Sequence, residues 1–200
     1  MTKNIIFDFG DVFINLDKAV LSQVLERVDD QARLQELFRL SLELETGAIG
    51  AERFLGSLQQ ALPAYDREGL LGLWNATLLD FPTYRLDYLE KLAATGKYRL
   101  YLLSNTNEIH IAEFREKIGP ANYQRFRDCF EGFYLSHEIH LRKPDPEIFE
   151  FVLERHGLQE KETLFIDDSI ENIETAASLG IRTWHLQVGR EDITELNSRM

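Results

Sequence analysis

The sequence predicts an α/β fold: a parallel sheet flanked by helices and interrupted once by a helical bundle. Three observations point there. Short apolar runs alternate with helix-length segments. The predicted strands are apolar throughout, as strands buried on both faces are, and do not alternate apolar with polar residues. One long interval after the first strand carries helical periodicity and no good strand, so it reads as an insertion.

The predicted strands are Asn4–Asp8, Arg99–Ser104, Gly132–Leu135, Thr163–Asp167 and Ile181–Leu186. Helices are expected over Leu86–Leu92, Ile109–Ile118, Glu147–Arg155 and Ile170–Leu179, with Gly96, Gly119, Gly157 and Gly180 as their stops. Inside the insertion, Leu21–Val28, Leu34–Leu44, Ala51–Leu62 and Glu68–Leu79 repeat apolar residues at three and four spacing. Residues 17–80 are therefore expected to form a small helical bundle, a cap over the sheet, leaving 1–16 and 81–200 as the core. No internal repeat or low-complexity tract is visible.

Composition narrows the function classes. Of 200 residues, 44% are hydrophobic, enough to bury a core and too many for a disordered chain. Lys and Arg number 22 against 34 Asp and Glu, a net charge of −12 that disfavours nucleic acid and anionic membrane as partners. No apolar run approaches a membrane span, and the short apolar start does not resemble a signal segment. With one cysteine, Cys129, no internal disulfide can form. A cytoplasmic protein, monomeric or weakly dimeric, is expected.

In an open parallel sheet, ligands bind beyond the carboxyl ends of the strands. Four such places carry polar chemistry: Asp8 after Ile5-Ile6-Phe7; Ser104-Asn105-Thr106-Asn107; Arg142-Lys143-Pro144-Asp145-Pro146; and Asp167-Asp168-Ser169, with Asn172 following. Taken singly, each has an ordinary explanation, because Asp and Asn favour turns and helix caps. Asp145 followed by Pro146 reads as such a helix start.

In this order and spacing the four motifs resemble the haloacid dehalogenase superfamily of aspartate-nucleophile hydrolases, over essentially the whole chain. The resemblance implies a Rossmann-like three-layer core with a helical cap of the C1 type, a bound Mg²⁺, and phosphatase action on a small phosphorylated metabolite through an aspartyl-phosphate intermediate. It implies Asp8 as nucleophile, with Ser104 and Lys143 beside it in catalysis. Mg²⁺ would be held by Asp8, the Gly10 carbonyl and Asp168, while Ser104, Asn105 and Lys143 would bind substrate. Asp167 and Asn172 would stand behind them, Asp167 orienting Lys143 or a metal-bound water.

The residue types suit that chemistry. A phosphate monoester is a dianion, so an anionic nucleophile reaches it only where positive charge has reduced the field. Mg²⁺ takes few protein oxygens and keeps waters, which matches a sparse carboxylate set.

One part is missing. Members of the superfamily that act as phosphatases carry an acid-base Asp two residues after the nucleophile, where this chain has Gly10. Asp11, one residue on, is expected to cap the adjacent loop instead. Gly10 together with Ser104-Asn105-Thr106-Asn107 resembles the α-glucose-1-phosphate phosphatase subgroup, which points to a sugar phosphate such as glucose 1-phosphate. Without the acid, anomeric, acyl and aryl phosphates should react better than primary alkyl phosphates. The alternatives are a 2-haloacid dehalogenase, disfavoured by the Asp167-Asp168 pair, and a noncatalytic phosphate-binding protein.

His137 and His140 are expected in surface or loop positions without metal. His110 could face substrate or merely cover its helix. In the insertion, Glu43, Thr46, Trp74 and Asn75 are the candidates for substrate selection, Trp74 being the one that most resembles a core residue.

Overall fold

The computed structural model describes residues 1–20, 28 and 30–199. Five parallel strands form one sheet: β1 (Asn4–Phe7), β2 (Arg99–Ser104), β3 (Gly132–Leu135), β4 (Thr163–Asp167) and β5 (Arg182–His185), in the spatial order β3-β2-β1-β4-β5. The chain builds outward from β1 to β3 on one side, then crosses back to lay β4 against β1. Strand order therefore reverses between β1 and β4, the crevice where open α/β sheets bind ligands.

The unbroken apolar strands follow from burial on both faces. Ile5, Phe7, Leu100, Leu102, Leu164 and Ile166 point to one side. There they meet α4 (Thr83–Ala94) and α5 (Glu108–Asp128), through residues such as Leu86, Leu89, Phe114 and Phe126. Ile6, Tyr101, Leu103 and Phe165 face the other side, against α7 (Pro146–His156) and α8 (Ile170–Ser178). Helix, sheet, helix is the predicted three-layer arrangement.

The helix α5 runs past its expected stop. Gly119 does leave helical geometry, at φ 78° and ψ 153°, and Pro120 follows, but the helix resumes to Asp128. Its second half carries Phe126, which sits among Phe9, Phe13, Phe114 and Phe130. That aromatic packing outweighs the break; β2 and β3 are joined by a kinked helix, not a short one.

After Asp17 the described residues leave the sheet, and they return to it by Asp80. Asn15, Leu16 and Asp17 lie antiparallel to residues 77–80, joined by Asn15 N–H to Asp80 C=O and Asp17 N–H to Thr77 C=O, both 2.9 Å. Beyond this pair of linkers lie α1 (Gln31–Glu45), α2 (Ala51–Ala61) and α3 (Arg67–Asn75). Their core of Leu37, Leu40, Leu44, Phe54, Leu58 and Trp74 also takes in Ile109 of α5, so the excursion packs directly on the sheet domain. The expected helix over Leu21–Val28 lies, but for Val28, outside the described residues. A second seam forms at α6 (Ser136–Ile139): a Cβ on Gly47 would fall 2.1 Å from the His137 carbonyl oxygen, so only glycine permits that approach.

Candidate active site

β1 and β4 are in register, Phe7 beside Ile166, and the Asp8 N–H continues the ladder to the Ile166 carbonyl at 2.8 Å. Asp8 and Asp167 therefore leave neighbouring strands side by side. Lys143, on the loop before α7, reaches between them: its Nζ lies 2.6 Å from Asp8 Oδ1 and 2.6 Å from Asp167 Oδ2. The lysine side chain is 1% exposed, so this bridge is shut away from water. Burial pushes the Asp8 carboxyl up to about 7, against the opposing pull of Lys143 and with a further push from Asp167. Burial acts to lower the Lys143 ammonium, but Asp167 and Asp8 outweigh it and hold the group above its ordinary value.

The two adjacent aspartates differ in what occupies them. Asp167 is fully engaged: Oδ2 accepts from Lys143 and from Asn172 Nδ2 at 3.0 Å, and Oδ1 accepts the Ser169 N–H at 2.8 Å. Asp168 turns the other way, to Lys18, whose Nζ stands 2.5 Å from Oδ2. Asp8 keeps Oδ2 without a hydrogen bond among the described residues. One carboxylate oxygen from each of Asp8, Asp167 and Asp168 lies within 4.8 Å of the others, the one such grouping of potential metal-ligating side chains among the described residues. An all-oxygen donor set of this kind fits Mg²⁺.

Gly10 sits in a tight loop closed by Asp11 N–H to Ile14 C=O at 2.7 Å and Ile14 N–H to Phe9 C=O at 3.3 Å, which leaves its own carbonyl out of the bridge. A Cβ at Gly10 would meet Leu16 Cδ1 at 2.7 Å. Any side chain at Gly10 therefore requires the tip of Leu16, a flexible apolar side chain, to shift. Asp11 takes φ 54°, and its Oδ1 accepts the Leu16 N–H at 3.0 Å while Oδ2 faces Lys18 at 3.0 Å. It is the loop cap expected from the sequence.

A cavity of about 350 Å³ opens over these groups, walled in part by Asp8, Gly10, Leu16, Lys18, Lys143 and Asp168. Asn105 also lines it, yet both ends of its amide are used: Oδ1 accepts the Lys143 N–H at 2.8 Å and Nδ2 donates to the Lys143 carbonyl at 2.7 Å. Its side chain therefore clamps the Lys143 backbone, with the second amide N–H left over on the cavity wall. Ser104 is buried at the end of β2 with one long contact, to the Asn105 carbonyl at 3.5 Å, and is not on the cavity wall. The Thr106 N–H is taken by Ser136 Oγ at 2.9 Å, and Asn107 caps α5 through the His110 N–H at 3.0 Å. Asp145 holds the cap position of α7 ahead of Pro146, but its side chain makes no capping bond.

Other expectations resolve plainly. His137 Nδ1 lies 3.2 Å from the Thr106 carbonyl, and His140 Nδ1 lies 2.8 Å from that of Thr46. His110 packs parallel to Trp74, ring centroids 5.3 Å apart, with Nε2 3.2 Å from the Trp74 carbonyl. Burial there pushes its imidazole down to about 4. None of Glu43, Thr46, Trp74 and Asn75 reaches the cavity wall. Glu43 pairs with Arg39, Trp74 is core, and Asn75 donates to Glu113. The insertion instead touches the wall through Glu45, 3.4 Å from Arg142.

Leu16, Lys18 and Glu45 are the residues that sequence reasoning missed. The first two stand close after the Asp8 motif on an apolar and polar background with no motif of their own. Only the fold of the linker brings them over the site.

Comparison with known proteins agrees with this geometry. A model of haloacid dehalogenase-like hydrolases matches residues 2–180, and the chain belongs to that family. It is 34% identical over 211 residues to a D-ribitol-5-phosphate phosphatase from Bacteroides thetaiotaomicron, covering 98% of this chain and 97% of that one. A haloacid dehalogenase family enzyme of the same organism, crystallised with magnesium and inorganic phosphate, superposes with a TM-score of 0.80 at 38% identity, covering 96% and 97% of the two chains. A hydrolase of the same kind from Porphyromonas gingivalis gives 0.82 at 27% identity, covering 100% and 98%.

Proposed function

We propose that this chain is a Mg²⁺-dependent phosphatase for a phosphorylated sugar or sugar alcohol, with Asp8 as nucleophile. The observation that carries the proposal is the Asp8–Lys143–Asp167 bridge at the β1/β4 crevice, beside the outward-facing Asp168. Lys143 fixes one oxygen of Asp8 and leaves the other for attack. The free oxygen adds to phosphorus as the bond to the sugar oxygen breaks, and the departing oxygen takes a proton from water in the cavity. Water then attacks the aspartyl phosphate, releasing inorganic phosphate and restoring the carboxylate. Mg²⁺, held by Asp8, the Gly10 carbonyl and Asp168, would neutralise charge on the phosphate when bound. Lys143 supplies a fixed positive charge in a place where water cannot screen it. Asp167, Asn172 and Asn105 hold Lys143, Asn105 through its backbone. Main-chain N–H groups at the strand ends would donate to the remaining phosphate oxygens, and Ser104, now buried with its hydroxyl on the Asn105 carbonyl, would have to turn that hydroxyl to the cavity to join them. Residues 17–80 act as a cap that covers the cavity during attack and opens for product.

The substrate turns on the leaving group. No carboxylate stands at Gly10, against which the Leu16 side chain packs, and this favours anomeric phosphates such as glucose 1-phosphate. The relative named for ribitol 5-phosphate instead suggests a primary phosphate of a polyol, whose poorer leaving group needs its proton from elsewhere. A panel of anomeric sugar phosphates, primary sugar phosphates and pentitol phosphates, assayed for phosphate release with and without Mg²⁺, separates these. Release should require Mg²⁺ and vanish in Asp8→Asn. Release that survives in Asp8→Asn would refute the assignment.

A further inference from the structure

Lys18 is the first residue of the excursion beyond its linkers. Asp17 before it is pinned at both backbone groups, its N–H to the Thr77 carbonyl and its carbonyl to Thr77 Oγ1 at 3.1 Å. From that anchor the lysine reaches across to the sheet domain and bridges Asp168 Oδ2 at 2.5 Å and Asp11 Oδ2 at 3.0 Å. The bridge ties the start of the cap to a carboxylate proposed to hold Mg²⁺.

Four carboxylates meet here, Asp8, Asp11, Asp167 and Asp168, and two ammonium groups answer them, Lys143 and Lys18. The cations are not equivalent. Lys143 is locked between two buried acids, whereas the Lys18 side chain is 60% exposed above two carboxylates that are themselves buried, so the ammonium can turn to water once another cation takes over Asp168. Lys18 also has somewhere to go. Asp11 lies outside the group of three possible ligands and holds the other side of the ammonium.

We propose that Lys18 is a tethered stand-in cation at the metal site: it holds Asp168 until Mg²⁺ binds, then withdraws to Asp11, so that metal loading shifts the tie between cap and sheet from two carboxylates to one. Two positive charges on one carboxylate repel at contact distance, and a hard divalent ion outcompetes an ammonium for oxygen. The inference rests on the Mg²⁺ assignment above and concerns how this chain's own side chains answer the metal.

Two measurements on the whole protein test it. Calorimetric titration with Mg²⁺ should show Lys18→Gln binding the metal about tenfold tighter than the unaltered chain, since a competing charge has been removed. Equal or weaker binding by the variant would overturn the proposal. Removing any nearby positive charge favours a cation, so the second measurement follows Lys18 itself. Brief acetylation with an activated ester, mapped by mass spectrometry, should label Lys18 several-fold faster at saturating Mg²⁺ than in its absence, while Lys3, paired with Glu162, serves as the unchanged reference. Binding heat with unchanged Lys18 labelling would overturn the exchange and leave the metal assignment standing. No binding heat at all would overturn both.

Discussion

Two lysines in this molecule each bridge a pair of aspartates, and they are built for opposite purposes. Lys143 is buried between Asp8 and Asp167, with its backbone clamped by Asn105. Lys18 lies over Asp11 and Asp168 from a linker, largely in water. The same three chemical groups thus make a fixture in one place and a removable contact in the other. Burial makes the difference, because a charge without water depends wholly on its partners, whereas an exposed one has solvent as an alternative.

Removing the buried cation should have the largest effect. Lys143→Met leaves Asp8 and Asp167 facing each other without compensation, and a loss of about 3–5 kcal/mol in urea unfolding is expected. The loss should grow as pH rises and the Asp8 carboxyl, which burial holds up to about 7, ionises. A cost no larger than that of an exposed pair would break the contrast drawn here.

A second buried titratable group sharpens it. His110 is held by the Trp74 carbonyl and by Asn107, with no countercharge, and its imidazole is pushed down to about 4. The unfolded chain binds the proton near the ordinary value and the folded chain does not. Stability is therefore fully present above about 6.5 and lost as pH falls toward 4, up to about 3 kcal/mol. Unfolding curves between pH 4 and 7 should show this slope, and His110→Gln should flatten it.

Gly10 probes the same crevice sterically. Gly10→Asp alone must move the tip of the half-buried Leu16 side chain and should cost about 1 kcal/mol in thermal or urea unfolding. Gly10→Asp combined with Leu16→Ala should relieve the clash and raise turnover of primary alkyl phosphates relative to anomeric ones. An equally small effect belongs to Lys18→Gln, about 1 kcal/mol in metal-free unfolding, because the lysine itself is exposed although the two acids beneath it are buried.

The contrast also shows what the sequence made legible. The sheet could be read because parallel strands buried on both faces announce themselves as continuous apolar runs, and β1 to β4 lie on those runs, while the edge strand β5 buries only Trp184. The motif residues could be read because strand ends converge: Asp8, Lys143, Asp167, Asp168 and Asn172 come together in one crevice. What could not be read depends on backbone paths and on which partner each polar atom finds first. Asn105 was legible as a strand-end amide but not as a clamp on Lys143. Gly10 was legible as an absence, yet the Leu16 side chain packed against it was not. Lys18 carried no signal, because one lysine on a polar stretch looks like any solvated charge until the linker folds back over Asp168. The helix break at Gly119 was visible, and the aromatic packing that carries α5 beyond it was not.

The central claim is that Asp8 is the nucleophile, and the covalent intermediate tests it most directly. Rapid quench in acid after mixing with ³²P-labelled sugar phosphate and Mg²⁺, followed by peptide mapping, should place the label on the peptide containing Asp8 within one turnover. No label on that peptide while phosphate is being released would contradict the account.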